Sequence, residues 1–296
     1  MRLDRNFDWK SFLGSIAVIA VPVAFQNLLS STGTVVDTMM IARLGETAVG
    51  AVGLCSQYAT LMIAGYWGFV GGGLLFISQY WGAQDEEGIC RSYGLMLTCI
   101  MIVAVVFSSA ALFFPHLIMR LYTDKTAIQE IGVRYLKIVG FAYPLQLLSI
   151  SASTLLRSTE RVRIPLYASI SSVFTNIFMN WVLIYGNLGA PAMGVQGAAI
   201  ATVLAAGMNV LIIYICCAAT KYPYIFRFRA HFRWVKARAK EFFVKCFPII
   251  CNEVLIGVGN MIVNVVLGRQ SQSTIAAVAV FRTVEGLIIA FFSGFS

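Results

Sequence analysis

This chain contains long hydrophobic runs, each of which is long enough to cross a lipid bilayer. Asp, Glu, Lys and Arg are absent from five long runs, residues 11–36, 47–84, 92–119, 138–156 and 164–220. About 20 apolar residues cross a bilayer core as a helix, so the longest run must hold two helices, divided at the helix breakers of residues 186–191. Helices are expected because an isolated strand in lipid leaves backbone groups unpaired. We predict eight spans, about 11–42, 47–80, 92–114, 131–156, 165–186, 194–219, 242–268 and 275–296.

The composition excludes a water-soluble protein. Of the 296 residues, 59% are hydrophobic and 12% are charged, whereas a soluble domain carries about 25% charged residues. The mean hydropathy is +0.80, and a soluble protein cannot hide that much apolar surface. Soluble enzymes, nucleic-acid-binding domains and disordered chains are therefore excluded. The predicted fold class is an all-α polytopic membrane protein.

The positive charges predict an orientation. With the N-terminus in the cytoplasm, the inside segments hold 15 Lys and Arg residues and the outside loops hold 6. Cytoplasmic segments carry such an excess, so we predict a multi-pass protein of the plasma or inner membrane with a cytoplasmic N-terminus. Aromatic residues alternate with the basic ones over Lys221–Lys245. This pattern favours a helix lying on the anionic inner leaflet over a nucleic-acid site.

The last two spans resemble a second copy of the first two. A single ungapped shift of 226 residues aligns three uncommon residue types, Pro22 with Pro248, Gly33 with Gly259 and Arg43 with Arg269. Six spans separate the copies, so the repeat is parallel, with its axis along the membrane normal. We predict a six-helix lobe over residues 1–219, a basic cytoplasmic linker over 220–241, and helices 7 and 8 of an incomplete second lobe over 242–296.

Polar side chains form stripes within the predicted spans. The stripes are Asn27, Ser30, Thr34 and Asp37 in span one, Gln146, Ser149 and Ser153 in span four, Ser169, Ser172, Asn176 and Asn180 in span five, Thr202 and Asn209 in span six, and Glu253, Gly257, Asn260 and Asn264 in span seven. Spacings of three and four place each stripe on one helical face. Many such contacts only hold helices together. The carboxyl group of Asp37 is different, because an acid at membrane depth is expensive and usually functional.

Motifs of enzyme and metal chemistry are missing from the sequence. It contains no G-x-x-x-x-G-K-[ST] and no H-E-x-x-H. The two histidines, His116 and His231, lie outside the predicted spans, so an imidazole metal site is not expected. We predict a protein that is not an enzyme and has no bound metal or organic cofactor.

Several short motifs follow one another in a specific order. They are Val36-Asp37-Thr38 with Ala42-Arg43-Leu44-Gly45, Ile77–Gly82, Leu155–Ser158 with Pro165, Asn176–Gly186, Pro191–Thr202, and Pro248 with Asn252-Glu253. In this order the chain resembles the MATE (multidrug and toxic compound extrusion) transporters over nearly its whole length. The resemblance implies twelve helices in two six-helix lobes that form a V around a central cavity.

The resemblance also implies an activity and a site. Family members export cationic or amphipathic compounds in exchange for H⁺ or Na⁺, and we expect the full-length form to be a monomer. Their coupling site matches Asp37, Asn176 and Thr202 here, whereas Asn180 replaces an acid of the family. That substitution removes one negative charge and favours H⁺ over Na⁺. We expect the substrate cavity to include Asn27, Thr34, Glu253 and Asn260.

Two other functions compete with the export of drugs. A lipid-linked oligosaccharide flippase of the same superfamily would need several basic residues in its cavity to bind pyrophosphate, and the spans of the first lobe have almost none. A membrane-embedded enzyme would need a nucleophile–base pair or metal ligands at membrane depth, and no such cluster is evident in the sequence.

Overall fold

The computed structural model describes residues 9–227, 231–232 and 236–267, and this part of the chain contains helices, turns and loops but no strand. The helices are α1 (Trp9–Ala42), α2 (Glu46–Gly82), α3 (Glu86–Phe113), α4 (Pro115–Tyr122), α5 (Thr126–Val139), α6 (Ala142–Ser158), α7 (Arg163–Tyr185), α8 (Val195–Ala219) and α9 (Lys236–Leu267). A short 3₁₀ turn, Asn187–Gly189, follows α7. The predicted all-α fold class is confirmed.

Four described helices, α2, α3, α7 and α8, are long and apolar enough to cross a membrane. The consecutive helices α5 and α6 meet the same criteria together but are bent by 49° at their junction. The fourth predicted span is therefore a broken helix pair instead of one straight helix. The predicted eighth span, 275–296, and the repeat partner Arg269 lie outside the described residues.

The break between α5 and α6 has one cause in its own sequence and one in a neighbouring helix. In a continuous helix the carbonyl oxygen of Gly140 would accept from the N–H of residue 144, but Pro144 has none. The hydroxyl of Ser108, on α3, donates to that carbonyl oxygen over 2.9 Å instead. Pro165 interrupts nothing, because it is the third residue of α7, where backbone N–H groups lack helical acceptors in any case.

Small residues bring the helices of the first lobe close together. α8 packs against α7, α6 and α5, and α1 packs against α7. Ala198, Ala201 and Ala205 are buried along one side of α8. At Gly197 a Cβ atom would lie 2.6 Å from the backbone of Leu183 on α7. Close backbone approach through small residues is the common way in which membrane helices associate.

The helix α9 packs against α2 of the first lobe. The rings of Phe76 and Phe242 lie 5.5 Å apart, and a Cβ atom at Gly68 would lie 2.8 Å from the Cα atom of Ile250. Further along α9, Leu255 is 70% exposed. The assignment of residues 242–296 to a second lobe stays a prediction, and α9 itself begins at Lys236, inside the predicted linker.

The first part of the predicted linker, residues 220–227, forms turns that pack into the lobe. Tyr222 and Tyr224 are buried. Their hydroxyl groups lie 2.7 Å from Thr159 Oγ1 and 3.4 Å from a carboxylate oxygen of Glu86, respectively. The predicted interfacial helix is thus wrong for this part, because its aromatic side chains find polar partners inside the protein. The exposed Arg227 completes the contact with an ion pair to Glu86 at 2.7 Å.

A buried histidine, His231, follows these turns in the linker. His231 is fully buried and its Nε2 lies 2.7 Å from the carbonyl oxygen of Tyr224. Its ring packs edge-on against Tyr93 of α3, with ring centroids 5.0 Å apart. Burial lowers the pKa of His231 below its ordinary value of 6.5.

Candidate functional site

A polar cavity of about 380 Å³ lies within the first lobe, between α1, α6, α7 and α8. The side chains around it come from the polar stripes of these helices. The lining residues are Ser30, Gly33, Thr34 and Asp37 of α1, Gln146, Ser149 and Ile150 of α6, Ser172, Val173 and Asn176 of α7, and Thr202, Ala205, Ala206 and Asn209 of α8. Asp37 is the one ionisable side chain in this lining.

Asp37 lies against two amide side chains of α7. Asn180 Nδ2 donates to Asp37 Oδ1 at 2.6 Å and also lies 3.2 Å from Asn176 Oδ1. Asn180 is fully buried, and its Oδ1 has no hydrogen-bond partner within the described part of the chain. No described Lys, Arg or His forms an ion pair with Asp37. Within the described part of the chain the carboxyl group is therefore stabilised by the Asn180 amide and not by a cation.

Thr202 completes the predicted coupling group from α8. Its hydroxyl donates to the carbonyl oxygen of Ala198 at 3.0 Å, one turn earlier, and the residue lines the cavity. Buried Tyr135 of α5 lies beside both Thr202 and Asp37. Tyr135 belongs to none of the polar stripes identified in the sequence. It lies on the short helix α5, before the break between α5 and α6.

A second polar pair closes the side of the cavity formed by α6 and α8. The hydroxyl of Ser149 donates to Asn209 Oδ1 at 2.7 Å. Both residues belong to stripes identified in the sequence. This hydrogen bond joins α6 to α8 and occupies two polar side chains that line the cavity.

A third polar group lies one turn beyond the cavity, toward the start of α1. Gln26 Nε2 donates to Ser169 Oγ of α7 at 2.6 Å, and Arg157 Nη2 of α6 donates to Gln26 Oε1 at 2.7 Å. We call these three residues the inner triad. Sequence reasoning missed Gln26 and Arg157, although each continues a stripe at a spacing of four, Gln26 before Ser30 and Arg157 after Ser153.

The predicted site residues divide into two groups. Asp37, Asn176, Asn180 and Thr202 converge at one end of the cavity, and Thr34 lines it. Asn27 and Glu253 are half-buried and do not line it. Asn260 lies on α9, but its side chain is outside the described residues.

The cavity offers a single carboxylate with amide and hydroxyl oxygens around it. These are groups that can exchange a proton or contact a small hard cation. No group of three or more His, Cys, Asp or Glu side chains suited to a metal ion is found among the residues that the structure describes. The lining also contains no Lys or Arg, so it lacks the cations that would recognise a pyrophosphate.

Comparisons with known proteins agree with this architecture. The sequence profile of the MatE family matches residues 22–182. The probable multidrug resistance protein YoeA of Bacillus subtilis (strain 168) is 28% identical over 279 residues, covering 93% of this chain and 60% of that protein. The probable multidrug resistance protein NorM of Rhizobium meliloti (strain 1021) is 25% identical over 194 residues, covering 65% and 41%. This chain therefore spans 60% or less of the length of these two relatives.

Solved structures show the same fold. A multidrug resistance MATE family transporter of the MOP superfamily in an outward-facing conformation superposes with a TM-score of 0.82 at 19% identity, covering 95% of this chain and 62% of that one. A MOP superfamily transporter from Pyrococcus furiosus superposes with a TM-score of 0.81 at 20% identity, with the same coverage.

Proposed function

We propose, from the premise that this chain belongs to the MatE family, that it carries the ion-coupling lobe of an antiporter. The transporter exports drugs or other cationic and amphipathic small molecules in exchange for a cation. The relatives described as multidrug resistance proteins support this substrate class. We further propose that the protein resides in the plasma or inner membrane as a monomer, with a cytoplasmic N-terminus.

The observation that supports this function is the environment of Asp37. The carboxyl group lies at the edge of a polar cavity, receives a hydrogen bond from the buried Asn180 and has no ion-pair partner among the described residues. A structural acid would be expected to pair with a cation. An acid that must gain and lose an ion during each cycle has to remain available, as Asp37 does.

We propose H⁺ as the coupling ion in preference to Na⁺. Asn180 occupies the position at which the family resemblance implies a second acid, so the site holds one negative charge. A proton needs only one carboxylate. The inward movement of one proton releases about 1.36 kcal/mol of free energy per unit of pH gradient. It releases about 2.3 kcal/mol more per 100 mV if the exchange is electrogenic. Either gain could sustain about a tenfold drug gradient, which requires about 1.4 kcal/mol.

Transport by the full-length transporter in proteoliposomes tests this proposal. An outward cationic-dye flux driven by an imposed pH gradient is measured for the wild type, for Asp37→Asn and for the matched control Asp124→Asn, which changes an exposed loop acid. Asn keeps the size and hydrogen bonding of Asp but cannot titrate. We expect Asp37→Asn to fold, bind dye and lose the proton-driven flux, and Asp124→Asn to keep it. Wild-type flux and pH dependence in a folded Asp37→Asn protein would refute the role of Asp37.

A further inference from the structure

A row of polar residues on one face of α1 runs from the cavity to the inner triad. On α1 the residues Gln26, Ser30, Thr34 and Asp37 follow one another at spacings of four, four and three, which is one helical face. On α7, Ser169 precedes the lining residue Ser172 by three positions. Gln26 and Asp37 are 11 residues apart on one helix, so about 16 Å separates them along the axis at about 1.5 Å per residue.

The positive charge at the end of these polar residues has no anionic partner among the described residues. Arg157 donates to the neutral amide oxygen of Gln26, and its Nε is buried without a hydrogen-bond partner among the described residues. No Asp or Glu in that part of the chain forms an ion pair with Arg157. A half-buried charge without a counter-charge loses hydration that nothing in this part of the chain replaces, and Gln26 already joins α1 to α7 through Ser169 without it. Helix packing alone therefore does not require a cation at this position.

We infer that Arg157 is an electrostatic barrier that keeps protons and other cations from passing between the cavity and the side of the membrane where α1 begins. This inference rests on the proposed ion coupling. A polar cavity that loads a proton from one side would dissipate the gradient if hydrated side chains led the ion straight through. A fixed positive charge at a polar constriction excludes protons and cations, as Arg does in other pores. Gln26, which itself donates to Ser169, accepts from the guanidinium and holds it at this end of the polar residues.

The test measures passive proton entry with no drug present. The full-length transporter is reconstituted into vesicles that contain a pH-sensitive dye, and a potassium diffusion potential with valinomycin pulls protons inward. The variant Arg157→Gln retains a hydrogen-bond donor for Gln26 but removes the charge. We expect it to admit protons at least tenfold faster than the wild type, while Arg157→Lys, which keeps the charge, stays close to wild type. The matched control Arg163→Gln makes the same change at an exposed position on α7 and should not leak.

A second variant guards against misfolding. Gln26→Glu leaves Arg157 in place but neutralises its charge with an adjacent carboxylate, and the new ion pair holds α1 against α6. We expect this folded variant to leak as well. Wild-type proton entry in folded Arg157→Gln and Gln26→Glu proteins would overturn the inference, and so would an equal leak in Arg157→Lys.

The outcome for Arg157 can be told apart from the outcome for the proposed function. A transporter that exports dye with coupling through Asp37 but does not leak when Arg157 is changed would overturn only the barrier. A protein that exports no dye under any gradient, yet leaks protons when Arg157 is changed, would refute only the proposed export.

Discussion

The variant Asn180→Asp should convert the proton site into one that also accepts Na⁺. In the wild type, Asn180 Nδ2 lies 2.6 Å from Asp37 Oδ1, so the substitution places a second carboxylate against the first. Two ionised carboxylates that relax to 4 Å repel each other by about 4 kcal/mol at an effective dielectric constant of about 20. Because about 1.36 kcal/mol corresponds to a tenfold change in an equilibrium constant, this repulsion raises the affinity of the pair for one cation by about three orders of magnitude. Either a shared proton or a bound Na⁺ relieves this repulsion.

Dye efflux from proteoliposomes under a Na⁺ gradient, with the pH held equal on both sides, measures this change. We expect little stimulation of the wild type and at least tenfold stimulation of Asn180→Asp. The matched control is Asn209→Asp, which makes the same amide-to-acid change in the same cavity but next to Ser149 and not next to Asp37. A folded Asn180→Asp protein without Na⁺ stimulation, or an equal response from Asn209→Asp, would refute the assignment of the site to this pair.

Two further predictions concern the scaffold. Gly197→Ala places a Cβ atom 2.6 Å from the backbone of Leu183 and should separate α7 from α8, which destabilises the protein by about 1–3 kcal/mol. Thermal unfolding in detergent should therefore show a lower melting temperature than for the control Gly207→Ala. The Cβ atom of that control would only touch the side chain of Leu145, at 4.0 Å. Because burial lowers the pKa of His231, docking of the linker is fully stabilised above pH 6.5 and weakens as the pH falls below that value. The protection of residues 220–227 from hydrogen exchange, which is the intrinsic exchange rate of an unstructured peptide divided by the observed rate at the same pH, should therefore fall between pH 7.5 and 5.5. This loss of protection should disappear in His231→Gln, and protection that is independent of pH in the wild type would contradict the prediction.

The charge-free runs predicted the helices well because membrane spans need apolar residues over a fixed length. The helices α1, α2, α3, α7 and α8 begin and end close to the predicted bounds. The break at Gly140 was not predicted, because it depends on a hydroxyl from another helix, Ser108. Pro144 alone does not reveal whether a helix bends or ends.

The stripes predicted which helix faces meet but not every residue on them. Asn27 and Gln26 both precede Ser30 at a helical spacing, three and four residues away, and only packing decides that Gln26 faces Ser169. Arg157 lies just beyond the predicted end of span four, because a charge ends the apolar run there. In the structure, α6 continues past it to Ser158, and the guanidinium lies within hydrogen-bonding distance of α1. Tertiary contacts of this kind leave no periodic signal in the sequence.

The contact between α9 and α2 has a consequence for biogenesis. A ribosome makes α2 long before α9, so we expect the groove at Gly68 and Gly72 to be present when the later helix is inserted. Phe242, Cys246 and Ile250 can then dock at once against an existing surface. On this expectation the first lobe is a surface against which the next inserted helix packs. Bulky side chains at Gly68 or Gly72 should therefore impair the membrane insertion of α9 before they affect any later step.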